Sequence, residues 1–181
     1  MSNCTRSETR RRSIRLRGYD YRRSGVYFVT ICTNRRMKLF GDIIDGEMAL
    51  SRLGEVAREE WCHVARARHN IELDRYVIMP NHLHGLFVIM DRLDDDLSHP
   101  VEMHHPKQAR GFPSGSLGAI VSHYKAAVSR RAWSGLIGRG QRVWQRNYYD
   151  HIVRDEESLN EIRRYIIENP ARWAEDSLYV D

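Results

Sequence analysis

Two histidines stand two residues apart in Met79-Pro80-Asn81-His82-Leu83-His84-Gly85, between Leu73-Asp74-Arg75-Tyr76-Val77-Ile78 and Leu86-Phe87-Val88-Ile89-Met90. The flanks are β-branched and aromatic, as strands prefer. Side chains alternate across a strand, so His82 and His84 project from one face. Two adjacent imidazoles can form part of a metal site or an acid/base pair. The same spacing also fits two polar residues on the solvent face of an edge strand, and the pair alone leaves both readings open.

A second pair lies near the C-terminus. Leu159, Ile162 and Ile166 repeat at helical spacing, which predicts a helix over 155–168, stopped by Pro170 because the residue before a proline disfavours helical backbone. Tyr165 flanks that stripe and Asn169 follows four residues later, so one turn brings a phenol and a carboxamide to the same side. If that side faces His82 and His84, three neutral ligands and one nucleophile converge. Otherwise Tyr165 is an ordinary boundary aromatic.

The elements that would position these groups can be read in order. Val26-Tyr27-Phe28-Val29-Thr30-Ile31-Cys32-Thr33 is a nearly continuous run of strand formers, as expected of a central strand. Residues 40–50 read as irregular or as a short hairpin about Asp45-Gly46. Leu53, Val56, Ala57, Trp61, Val64 and Ala65 predict an amphipathic helix over 51–68 with Ser51 as N-cap. Strands over 71–79 and 82–90 follow, divided at Pro80, which cannot donate to a ladder. Residues 91–114, acidic and then rich in proline and glycine, read as an exposed loop. His99, His104 and His105 fall in it without an element to fix their geometry. Leu117, Ile120, Val121, Tyr124 and Val128 predict a helix over 116–133. This order is that of an α+β fold, an antiparallel sheet with helices packed on it.

The chain has 181 residues, 41% hydrophobic and 29% charged, which suits one soluble globular domain, residues 24–181, preceded by an arm. No apolar run is long enough to span a bilayer and no apolar segment follows the arginine-rich N-terminus, so no membrane partner and a cytoplasmic location are expected. Cys4, Cys32 and Cys62 are odd in number and lack a Cys-x-x-Cys pair, which argues for reduced thiols.

The net charge of +5 is unevenly placed. Residues 1–23 hold eight arginines, among them Arg10, Arg11, Arg12, Arg15 and Arg17, against Glu8 and Asp20, a net of +6, which leaves the remainder at −1. Arginine clusters pair with phosphate and gain affinity by releasing counterions, so nucleic acid is the leading partner. Tyr19 and Tyr21 could stack on unpaired bases or begin the core. Lys125, Arg130 and Arg131 offer further phosphate contacts. In Val143-Trp144-Gln145-Arg146-Asn147-Tyr148-Tyr149-Asp150-His151, Trp144 and Arg146 are candidates for contact with bases and backbone, although tryptophan is also a common core residue.

From about Arg12 to Glu175 the chain resembles the REP-associated tyrosine transposases, a branch of the single-tyrosine HUH transposases. The likeness rests on Arg15-Leu16-Arg17-Gly18-Tyr19-Asp20-Tyr21, Val77-Ile78-Met79-Pro80-Asn81-His82-Leu83-His84-Gly85, Gly115-Ser116-Leu117-Gly118-Ala119-Ile120, Val143 through Ile152, and Tyr165-Ile166-Ile167-Glu168-Asn169-Pro170. The resemblance implies a ferredoxin-like HUH nuclease fold with the histidines on a central strand. It makes His82 and His84 metal ligands, Tyr165 the nucleophile and Asn169 a third ligand, where relatives often carry glutamine.

The implied chemistry is cleavage and rejoining of single-stranded or hairpin DNA through a 5′-phosphotyrosine, with Mg²⁺ or Mn²⁺ as cofactor, by a monomer or homodimer associated with the nucleoid. Two other classes compete: a non-catalytic module binding structured nucleic acid, and a metal-dependent hydrolase using water.

Overall fold

The computed structural model describes residues 19–90 and 112–180. Most of the arm and the predicted loop, with His99, His104 and His105, lie outside the described residues. The main sheet contains β1 (Gly25–Cys32), β4 (Ile71–Met79), β5 (His82–Ile89) and β6 (Tyr149–Val153) in the order β4-β5-β1-β6, every neighbouring pair antiparallel. Between β1 and β4 come a hairpin, β2 (Gly41–Ile44) and β3 (Glu47–Leu50), and helix α1 (Arg52–Arg66). Helix α2 (Leu117–Ala132) joins β5 to β6, and α3 (Glu156–Glu168) follows. Without the hairpin, the chain through β6 reads βαββαβ, the ferredoxin-like arrangement of an α+β fold.

Alternation along β1 divides the protein into layers. Tyr27, Val29 and Ile31 enter one core with Leu83 and Phe87 of β5, Trp61 and Val64 of α1, and Ile120, Tyr124 and Val128 of α2. Phe28 points the other way into a smaller cluster with Leu86, Val153 and Ile166 of α3. Helices α1 and α2 therefore cover one face and α3 covers part of the other. Burial of these side chains, each worth about 1.5–3 kcal/mol, holds the layers together.

Local signals explain most boundaries. Ser51 Oγ accepts from Gly54 N and Ser116 Oγ from Ala119 N, capping α1 and α2. Asp155 does the same for Ser158 N at the start of α3. The hairpin expected at Asp45-Gly46 is present, with both residues at positive φ (52° and 79°), the geometry of a two-residue turn that matches strand twist. Strand β6 was not expected. Its Asp150 and His151 break the apolar pattern, but it is an edge strand paired only to β1.

Candidate metal centre

The two histidines lie on β5, an interior strand, on the sheet face covered by α3. Neither faces solvent, because His82 is 0% and His84 4% exposed. Gly85 follows them because the indole of Trp61 lies against its backbone on the opposite face, where a Cβ would collide with the ring. Phe28, two residues along β1 from Thr30, stacks on the His84 ring at 5.3 Å between centroids.

Each imidazole is held through Nδ1. Asn81 donates from Nδ2 to Leu178 O (2.8 Å) and Arg36 O (3.3 Å), which turns its Oδ1 towards His82 Nδ1, 2.8 Å away. An oxygen can only accept here, so His82 carries its proton on Nδ1 and leaves a lone pair on Nε2. That buried Nε2 has no hydrogen-bond partner. His84 Nδ1 is 2.8 Å from Thr30 Oγ1. Such outer contacts fix the orientation of metal-ligating histidines.

Asp176, in the segment after α3, completes the cluster. Its Oδ2 lies 3.8 Å from His82 Nε2 and 3.9 Å from His84 Nε2, and its side chain is 2% exposed. The ligand atoms of His82, His84 and Asp176 all lie within 4.8 Å of one another, a group that could hold a metal ion. Asn169, the C-cap of α3, donates from Nδ2 to Asp176 Oδ2 at 3.1 Å, and its buried Oδ1 has no partner. Two orphaned lone pairs and a buried carboxylate fit a divalent cation better than an apo core, because unpaired buried polar atoms are costly.

Tyr165 adjoins this cluster. Its Oη is 3.0 Å from His84 Nε2 and 3.4 Å from Asp176 Oδ2, while the residue is 43% exposed, so one side of the phenol meets the cluster and the other meets solvent. Burial, and next the Asp176 charge, push the Tyr165 phenol up to about 12. Burial lowers both histidines below the ordinary imidazole value, so they are neutral and competent as ligands at pH 7. Burial alone would raise the Asp176 carboxyl, but the neighbouring His84 imidazole and hydrogen bonds from Leu178 N and Asn169 Nδ2 outweigh it and hold the group well below the usual range.

The predicted residues thus separate into those the fold brings together and those it does not. His82, His84, Tyr165 and Asn169 converge, and Asp176 joins them. No spacing singles Asp176 out, since it only caps the short 3-10 turn Trp173–Glu175 and no helical or strand period ties it to the histidines. Trp144 lies elsewhere. It is a 7% exposed core side chain tilted against Phe40 and Tyr124, with Nε1 donating to Lys125 O, so its ring faces are covered rather than open to bases. The Lys125 ammonium is engaged by three backbone carbonyls, and Arg131 is paired with Glu59 and Glu60. Arg130 and Arg146 are exposed. Tyr19 and Tyr21 pack on the main core. Arg10, Arg11, Arg12, Arg15 and Arg17 lie outside the described residues.

No family model matches the chain. An uncharacterized protein of Haemophilus influenzae is 40% identical over 171 residues, covering 94% of each chain. The two proteins belong to one family. That relative has no described activity to transfer, so the kinship establishes common descent. A solved structure of a REP-associated tyrosine transposase bound to a REP hairpin aligns with a TM-score of 0.56 over 88% of this chain and 73% of that one, at 19% identity. At that identity the likeness is one of fold. Among the described residues, no helix is long and apolar enough to cross a membrane.

Proposed function

We propose that this protein is a metal-dependent nuclease and strand transferase acting on single-stranded or hairpin DNA, with Tyr165 as nucleophile. The observation that carries the reading is the position of the half-exposed Tyr165, whose hydroxyl lies 3.0 Å from His84 in a buried His82, His84 and Asp176 cluster. A solvated phenol facing a built cation site is what attack on a metal-bound phosphodiester requires. The likeness in fold to a transposase bound to a REP hairpin supports the same class of substrate.

His82 Nε2, His84 Nε2 and Asp176 would hold the cation, with Asn169 Oδ1 as a fourth donor. A mixed nitrogen and oxygen set of this kind accepts Mn²⁺ or Mg²⁺. A cation held there would supply Lewis-acid stabilisation of the charge that develops on the phosphodiester. Pairing Asp176 with a cation would also offset its negative charge, which after burial is the largest influence raising the Tyr165 phenol.

In the chemical step the Tyr165 oxygen bonds to phosphorus and the bond from phosphorus to the 3′ oxygen breaks. The phenol proton departs and the 3′ oxygen ends protonated, so no net proton or energy source is consumed. Attack by a second 3′-OH reverses the step and joins strands. The basic arm, residues 1–23, and the exposed Arg130 and Arg146 supply phosphate contacts that are independent of sequence.

The test is covalent capture. A labelled DNA hairpin with unpaired flanks is incubated with the protein and Mn²⁺ or Mg²⁺, then run on a denaturing gel. A protein–DNA adduct is expected that is lost with chelator and in His82→Ala. Salt-dependent binding without any adduct would make the protein a binding module instead.

A further inference from the structure

A cleft of about 440 Å³ opens beside Tyr165, on the side away from Asn169. Its volume lies in the range of pockets that enclose small organic groups. The floor is β1, through Phe28 and Thr30, and one wall is the segment bearing Gln145, Asn147 and Tyr149. His84 lines it too and belongs to the metal centre, and Tyr165, which adjoins that centre, lines the cleft beside it.

Register places its aromatic surface. Thr30 pairs with His84 on β5 and with Tyr149 on β6, so the three residues form one cross-strand row on one face. Tyr149 therefore stands two strand spacings, roughly 10 Å, from His84. It is 47% exposed, at the sheet edge. An exposed phenol ring in a cleft is a stacking platform, and bases stack on such rings whatever their sequence.

The same wall carries groups that can tell bases apart. Among the described residues, no hydrogen bond involves the side-chain carboxamide of Gln145 or of Asn147. Each offers one acceptor and two donors to a base edge. Their backbone is held in place: Lys125 Nζ donates to the carbonyls of Gln145 (2.5 Å), Asn147 (3.3 Å) and Arg146 (3.4 Å), and Gln145 N donates to Cys32 O. A wall fixed this way reads a base with little ordering cost.

We infer that this cleft takes one unpaired nucleobase of the strand to be cut, stacked on Tyr149 and read at its edge by Gln145 and Asn147, beside the phosphate attacked by Tyr165. The inference rests on the nuclease reading and adds a specificity site to it. A phosphate at the metal centre then has its neighbouring nucleotide in the cleft, so the bond cut is chosen by the protein as well as by the hairpin.

The test uses Tyr165→Phe protein and hairpins with an unpaired flank in which 2-aminopurine replaces one base at a time. Fluorescence should be quenched at one flank position, and Tyr149→Ala should abolish that quench and weaken binding of the flanked hairpin about tenfold. Binding of the same hairpin without its flank should be unchanged, which also shows that the variant is folded. Gln145→Ala with Asn147→Ala should keep the quench but reduce the preference among the four natural bases at that position from about tenfold to under about twofold. A quench that survives Tyr149→Ala, or a base preference untouched by the double variant, would overturn the inference. Because this readout needs no cleavage, absence of a covalent adduct in the wild type would overturn the nuclease reading and leave fluorescence to decide the cleft.

Discussion

Asn81 holds His82 by a 2.8 Å contact between its Oδ1 and the histidine Nδ1, and its own orientation is set by the carbonyls of Leu178 and Arg36. One buried carboxamide thus ties the turn before β5 to the C-terminal segment that carries Asp176. Asn81→Ala should weaken Mn²⁺ binding by about 10–100-fold while leaving His82 and His84 present. Titration calorimetry measures this, and an unchanged affinity would show that Asn81 does not orient the ligand.

Gly85 lies against the Trp61 indole, and any Cβ there must displace a fully buried ring. Gly85→Ala should destabilise the protein by about 1–3 kcal/mol. The urea midpoint should fall accordingly, whereas an unchanged midpoint would mean that α1 can move off the sheet without cost.

Lys125 holds three successive carbonyls rather than meeting solvent. Lys125→Met removes all three charge-assisted hydrogen bonds at once and should cost about 1–3 kcal/mol, also read as a urea midpoint. A variant that loses no stability but loses DNA affinity would return Lys125 to the role of a phosphate contact.

The metal-stripped protein should show an acid-side loss of stability that starts above the carboxylate range. Burial lowers both His82 and His84 below 6.5, so below that pH the unfolded chain binds more protons than the folded one. Stability is therefore full above pH 6.5 and falls as the pH drops towards the depressed folded values. Asp176 adds nothing in this window, because its lowered value makes its contribution disappear only below the ordinary carboxylate range. In chelator, the decline between pH 6.5 and 5 should be smaller for His82→Gln than for wild type, and equal slopes would contradict the assignment.

Much of this arrangement was legible in the sequence where local rules decide the outcome. Period-two alternation put His82 and His84 on one face, helical spacing put Tyr165 and Asn169 on one turn, and Ser51 marked the start of α1 through its hydroxyl. What stayed hidden depends on tertiary packing. The polar β6 is a strand because β1 offers it an edge, and Trp144 is buried because Phe40 and Tyr124 lie against it. Asp176 reaches the histidines because Asn81 Nδ2 donates to the Leu178 carbonyl, two residues on. None of these contacts leaves a periodic trace.

In the proposed reaction Tyr165 forms the covalent link to DNA. The most direct measurement is to trap the adduct with a labelled hairpin, digest it with protease and nuclease, and locate the nucleotide by mass spectrometry. The mass should fall on the peptide containing Tyr165, and the adduct should be absent from Tyr165→Phe. Label on the peptide containing Tyr148 and Tyr149, or an adduct that persists in Tyr165→Phe, would contradict it.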